Sequence, residues 1–207
     1  MLEVRQVRRQ SCDDFETRIG SREAVFNPGR FLTLRTRNSA AYKGIYALLL
    51  RDGALDFATG VPINDQRYFD DALDIHHIFP RAWCEKQGIP AEQYDSIIKK
   101  TPIAAGTNRR IQGDEPRLYL KRVQQASQMD DKRMDTILTS HVIDPALLRA
   151  NDFAGFFARR REALLMRIEA AMGKPVLRDL ATVDPGNDAG ADGDAATDFQ
   201  DEVEIAG

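Results

Sequence analysis

The sequence predicts an α+β fold, mainly helical, on three observations. Two long segments carry apolar residues at helical spacing, one short stretch alternates like a strand and stops at a proline, and Gly/Pro/Asn clusters punctuate what lies between. The first 30 residues read as a lead-in whose start, residues 1–13, is polar, and Asn27-Pro28-Gly29 signals a turn. Ser39 is a good N-cap, and Ala41, Tyr42, Ile45, Tyr46, Leu48, Leu49 and Leu50 form an apolar face that ends before Asp52-Gly53. This spacing predicts a core helix over 39–51. A turn-rich stretch follows, Gly60 to Asp65, with Pro62 and Asn64.

Leu73-Asp74-Ile75-His76-His77-Ile78-Phe79 alternates partly and is bounded by Pro80, as a strand would be. Arg81–Gln87 reads as a short helix stopped at Gly88, and Pro90 opens another through Ile97. Thr101–Ala105 is a second strand, and Thr107 caps a short helix carrying Asn108. Two helices complete the body. One runs from Pro116 to His141 with breaks; the other spans 152–172, with Phe153, Phe156, Phe157, Leu164, Leu165 and Ile168 on its apolar face and Gly173 and Pro175 ending it. Beyond Thr182 the sequence is rich in Gly, Ala and Asp, so 181–207 reads as a disordered acidic tail. The expected body is therefore 31–180.

Composition narrows the function classes. The chain has 207 residues, 43% hydrophobic and 29% charged, enough for one core without disulfides. It has no run of 18 apolar residues and no signal-peptide start, so no membrane association is expected. Cys12 and Cys84 form no CxxC pair, which argues against a zinc finger and fits a reducing cytoplasm. The net charge of −3 conceals an asymmetry. Residues 181–207 hold eight of the 32 acids and no Lys or Arg, leaving 29 bases against 24 acids over 1–180, a net of +5. A mildly basic body is compatible with nucleic acid. No P-loop is present, so nucleotide hydrolysis is not expected.

The chemistry centres on His76 and His77. Neighbours on a strand point to opposite faces, so one imidazole can face a metal while the other faces a phosphate or a water. With an ordinary pKa of about 6.5, histidine suits both tasks. Phosphodiester hydrolysis needs an activated water and neutralised phosphate charge. A divalent ion supplies the second, and oxygen ligands from Asn or Asp favour Mg²⁺. A buried or surface histidine pair without catalytic duty is the alternative on these residues alone.

Several strings, in order, resemble one family. Asp74-Ile75-His76-His77-Ile78-Phe79-Pro80 is similar to the D-x-[DH]-H-I-x-P signature of HNH (His-Me finger) endonucleases with the ββα-metal fold. Asn108 lies 31 residues after His77, in Thr107-Asn108-Arg109-Arg110-Ile111, which resembles the closing helix motif. Pro116-Arg117-Leu118-Tyr119-Leu120 and, upstream, Leu34-Arg35-Thr36-Arg37-Asn38 resemble the branch of GmrSD-like, modification-dependent restriction and phage-defence nucleases. The resemblance covers roughly residues 30–125.

It implies a ββα-metal core with flanking helices and a metal-dependent DNA endonuclease. His77 would be the general base, and His76 and Asn108 would hold Mg²⁺, with Mn²⁺ or another divalent ion as substitutes. Asp74 would sit beside the ion, as ligand or as partner of a ligand. Arg109 and Arg110 would face the DNA backbone. In Ser96-Ile97-Ile98-Lys99-Lys100-Thr101-Pro102, Lys99 occupies the place of an Asn that orients the catalytic His in relatives. Either another group, such as a backbone carbonyl, would then orient His77 or the enzyme would be weakened, and Lys99 would also contact phosphate. The implied partners are DNA and a sensor domain or subunit not in this chain. The competing expectation is a catalytically weak or inactive HNH-type DNA-binding module; a structural zinc at the histidine pair is a third.

The remaining candidates are structural. His141 is expected as a surface residue or a charge at a helix C-terminus. Trp83 and Phe79 are expected in the core, and Cys84 as a small buried apolar residue. Arg159-Arg160-Arg161, Lys174 and Arg178 are expected either on a solvated helix face or against DNA.

Overall fold

The computed structural model describes residues 26–35, 39–63, 73–111, 113–176 and 178. The polar start, Cys12, residues 36–38 and 64–65 and the acidic tail lie outside the described residues. The Asn27-Pro28-Gly29 turn forms, with Asn27 Oδ1 accepting from the Gly29 amide at 2.8 Å, and leads into α1 (Arg30–Thr33). Helix α2 spans Ala40–Arg51. Ser39 caps it, its hydroxyl accepting from the Tyr42 amide at 3.1 Å, and Tyr42, Ile45, Tyr46 and Leu49 are buried.

Strand β1 (Leu73–His77) pairs antiparallel with β2 (Lys100–Ala104), with His76 opposite Thr101 and His77 opposite Lys100. Between them run α3 (Arg81–Lys86), α4 (Ala91–Tyr94) and a 3-10 turn over Ile97–Lys99. Helix α5 (Ala105–Ile111) leaves β2 with no intervening loop. The expected cap role of Thr107 is therefore corrected: Thr107 lies inside α5, buried, and its hydroxyl donates to Asp56 at 2.8 Å.

The anticipated 116–141 helix is two. Helix α6 (Pro116–Ser127) ends where Gln128 takes a left-handed conformation (φ 52°), and α7 (Asp131–Ser140) restarts with Asp130 accepting from the Arg133 amide. Helix α8 (Pro145–Arg149) was not anticipated, although Asp144 caps it and Pro145 holds the favoured first position. Helix α9 (Phe153–Met172) is capped by Asp152 and closed by Gly173 at φ 66°, a conformation that glycine adopts without steric cost. Among the described residues no helix is long and apolar enough to cross a membrane.

The fold is thus α+β, mostly helical, with one small sheet among the described residues. The hairpin lies between two apolar clusters. Ile103 belongs to one, with Phe57, Phe79, Tyr119, Ile137 and Phe156. Ile75 packs against the other, with Tyr46, Leu49, Ile98, Leu164 and Leu165. Helix α9 feeds both clusters and so ties the sheet to the body. Phe79 is fully buried and Trp83 packs against the same cluster. Removing a ring such as Phe79 costs about 3–5 kcal/mol through lost transfer energy and the cavity left behind.

Two surface expectations are overturned by burial. Arg160 is enclosed, with Nη2 donating to the Lys100 carbonyl at 3.1 Å and its guanidinium 5.9 Å from the Phe156 ring centre. Burial lowers its pKa to about 9, which still leaves it charged at neutral pH. It braces β2 from behind and cannot reach a duplex. His141 is also fully enclosed. Arg159 and Arg178 do lie on a solvated face, where they pair with Asp144 and with Glu162 and Glu169.

Candidate active site

Alternation along β1 puts Asp74 and His76 on one face of the hairpin and Ile75 and His77 on the other. Because α5 starts where β2 stops, its second turn folds back over β1. His76 Nδ1 then lies 3.1 Å from Asn108 Oδ1, and Asn108 Nδ2 donates to Asp74 Oδ2 at 3.4 Å. Residues 32 and 34 positions apart in sequence therefore form one polar cluster.

His76 is only 4% exposed. Its ring stands edge-on to Phe57 (5.8 Å between centres) and Tyr119 (5.4 Å). Burial lowers its pKa to about 3; the Asn108 contact opposes that shift, and Lys99, His141 and Arg160 add to it. The imidazole is neutral at pH 7. The amide oxygen can only accept, so Nδ1 carries the proton when it faces Asn108. Nε2 is buried with no hydrogen-bond partner among the described residues, so Nδ1 is the nitrogen that faces a polar neighbour.

His77 is half-buried and stands among cations. Its pKa falls to about 2, chiefly through burial, then through Lys99, Lys100, His76 and Arg81. It is held lower than the better-buried His76 because no hydrogen bond opposes the shift as the Asn108 contact does at His76. Among the described residues no hydrogen bond fixes its ring.

The expected phosphate contact of Lys99 is corrected. Lys99 is fully enclosed, with Nζ 5.4 Å from the centre of the Tyr94 ring, so it acts on His77 through its field. Lys100 is also enclosed, donating to the Arg35 carbonyl at 2.9 Å. Arg109 and Arg110 project from α5 into solvent, and no ion pair holds either among the described residues.

Sequence reasoning missed the groups that hold this arrangement. His141 Nε2 donates to the Leu55 carbonyl at 2.6 Å, so Nδ1 accepts from the Thr101 hydroxyl at 2.7 Å. Burial lowers its pKa to about 4. Asp56, 1% exposed, binds the start of α5. At the other end of that helix Arg122 donates to the Ile111 carbonyl and pairs with Asp114. Only Asp56 left a readable local signal, an Asx-type turn in which it accepts from the Ala58 and Thr59 amides.

A divalent ion can be tested against this donor set. Adjacent ligands of an ion with bonds of about 2.1 Å lie roughly 3.0 Å apart, close to the Nδ1–Oδ1 spacing, and ligation through Nδ1 would move its proton to the buried Nε2. Imidazole, amide oxygen and carboxylate suit Mg²⁺ or Mn²⁺ and leave positions for water and phosphate. Among the described residues no three His, Cys, Asp or Glu converge, so the cluster needs the Asn108 amide as a member.

No family model matches the chain. It is 35% identical over 88 residues to an uncharacterized protein, MJ0686, of Methanocaldococcus jannaschii, a match that takes in 42% of this chain. The chain spans only 14% of that protein's length. No solved structure matches.

Proposed function

We propose that the chain is a metal-dependent DNA endonuclease of the HNH type. The observation that carries the reading is the contact between His76 Nδ1 and Asn108 Oδ1 at 3.1 Å, with a second, neutral imidazole on the next residue. The strand–strand–helix order of β1, β2 and α5 supports a ββα-metal centre. His76 and Asn108 would hold the ion, with Asp74 fixing the amide or joining the shell. A divalent ion bound there neutralises charge on the phosphate and on the departing 3′ oxygen.

The chain's own groups do the rest. His77 takes the proton of the attacking water. Its basicity is low without DNA, chiefly because it is buried and then because Lys99, Lys100 and Arg81 repel a proton. An arriving phosphate offsets those charges and raises it. Arg109 and Arg110 contact the backbone beside the scissile bond. Duplex DNA is the proposed substrate, and a sensor domain or subunit of a restriction or phage-defence system the proposed partner.

The test is nicking of supercoiled plasmid in Mg²⁺ or Mn²⁺. Wild type should nick, and His77→Ala and Asn108→Ala should each lose at least about 100-fold, the lower range for a general base. Nicking that persists in His77→Ala would sink the reading. The second reading, an HNH-type module that binds DNA without cutting, is favoured by the weak basicity of His77 and by Lys99 in place of an orienting Asn. It predicts plasmid binding without nicking by any variant.

A further inference from the structure

We propose that Asp56 is a positioning residue of the site, setting the Asn108 amide against His76 by clamping the junction of β2 and α5. The inference rests on the reading that His76 and Asn108 hold a divalent ion. Asp56 sits in the segment between α2 and β1, far from the site in sequence, yet its carboxylate accepts five hydrogen bonds. Three come from its own turn: the amides of Ala58 (3.1 Å) and Thr59 (3.0 Å) and the Thr59 hydroxyl (3.1 Å). The other two come from the junction. The Ala104 amide, at the last residue of β2, donates to Oδ2 at 2.9 Å, and the Thr107 hydroxyl donates to Oδ1 at 2.8 Å.

Thr107 directly precedes Asn108, so this bond sets the rotation of α5 about its axis. The Ala104 bond sets where α5 leaves the strand. Helix α5 has seven residues, too few to hold its place by its own turns. A rotation of one residue would turn Asn108 away from β1 by about 100°. The far side of the clamp is rigid as well. Leu55 pairs with Pro62 in an isolated bridge, and its carbonyl accepts from His141, which holds Thr101 opposite His76. The carboxylate joins its own loop, the end of β2 and the helix at one point.

Asn at position 56 keeps the shape but has one acceptor oxygen, so an NH₂ group meets either the Ala104 amide or the donors now on Oδ1. Thr107→Val removes a single bond and keeps the volume; Thr107→Ser keeps the hydroxyl. Mn²⁺ affinity should be measured by electron paramagnetic resonance of the free ion, alongside plasmid nicking, well below each variant's melting temperature. Asp56→Asn and Thr107→Val should bind Mn²⁺ on the order of tenfold more weakly, as loss of groups that orient ligands does. Their kcat should fall while KM for DNA holds, and Thr107→Ser should match wild type.

A merely structural role would lower the melting temperature and leave Mn²⁺ affinity of the folded protein unchanged. That result overturns the inference, provided wild type binds Mn²⁺ more tightly than Asn108→Ala. If wild type and Asn108→Ala bind alike, the proposed ion site fails and the inference falls with it. If Asp56→Asn does not fold, the comparison of Thr107→Val with Thr107→Ser decides.

Discussion

The two faces of the β1–β2 hairpin differ more than their sequences suggest. On one, His76 is walled in by Phe57 and Tyr119, and its Nδ1 meets Asn108. Thr101 beside it is bonded to His141, which is bonded in turn to Leu55. On the other face His77 is half-buried, unfixed by any hydrogen bond among the described residues, and ringed by Lys99, Lys100 and Arg81. Two identical side chains, one residue apart, thus receive opposite treatment. The first is locked among aromatic rings and the Asn108 amide; the second has no hydrogen bond to hold it among the described residues. Burial is the chief cause of the lowered pKa in both, and the Asn108 contact opposes it only at His76.

The comparison breaks most sharply at its extremes. His77→Ala should abolish nicking and cost less stability than any change to the closed face, because no hydrogen bond among the described residues is lost. A large loss of stability in urea unfolding would mean that the open face is structural too. His141→Ala should do the reverse for the closed face. It strands the Thr101 hydroxyl and the Leu55 carbonyl and leaves a cavity, for a loss of about 3–4 kcal/mol in the same assay. A loss under about 1 kcal/mol would show that the closed face is not interlocked.

Acid should sharpen the contrast. Unfolded His141 protonates at about 6.5, whereas the folded residue resists to about 4 because it is buried. Between those values the unfolded state binds more protons, so acid favours unfolding. The contribution of neutral His141 is complete above about pH 6.5 and is lost as pH falls toward about 4, at up to about 1.4 kcal/mol per pH unit. His76 and His77, also lowered by burial, act in the same direction, so His141→Gln should remove only about a third of the total slope in unfolding curves between pH 7 and 4; an unchanged slope would place its source in the other two. The smallest stability effect is expected outside both faces. The double variant Arg109→Ala, Arg110→Ala should keep its stability within about 0.5 kcal/mol. The salt dependence of its DNA binding should fall by roughly 2 in log–log slope, about 0.9 for each lost phosphate contact. An unchanged slope would remove α5 from the DNA surface.

Local patterns carried much of the fold. Ser39 with its apolar face gave α2, and Asp152 through Gly173 gave α9, because caps and periodicity act within a few turns. The hairpin strands were readable to within one or two residues, save that β1 stops two residues short of Phe79. Helix α8 was missed because five residues carry too little periodicity, although its Asp-Pro start was in view. At the site, the pairing of His76 with Asn108 came from a resemblance between strings and not from any property of the residues. His141 and Arg160 were misread as surface groups for a physical reason: whether a polar side chain is buried depends on partners far along the chain. For His141 those partners are 40 and 86 positions away.

By itself the sequence determined the class of the fold, the long helices and their ends, and the fact that two imidazoles stand back to back on a strand. These follow from short-range rules of backbone geometry and side-chain alternation. Tertiary structure alone decided which imidazole is sealed and which is open, that Asn108 comes to rest on His76, and that Asp56 grips the helix that brings it there. Those outcomes depend on desolvation and on bonds that close loops of tens of residues, and neither exists until the chain has folded.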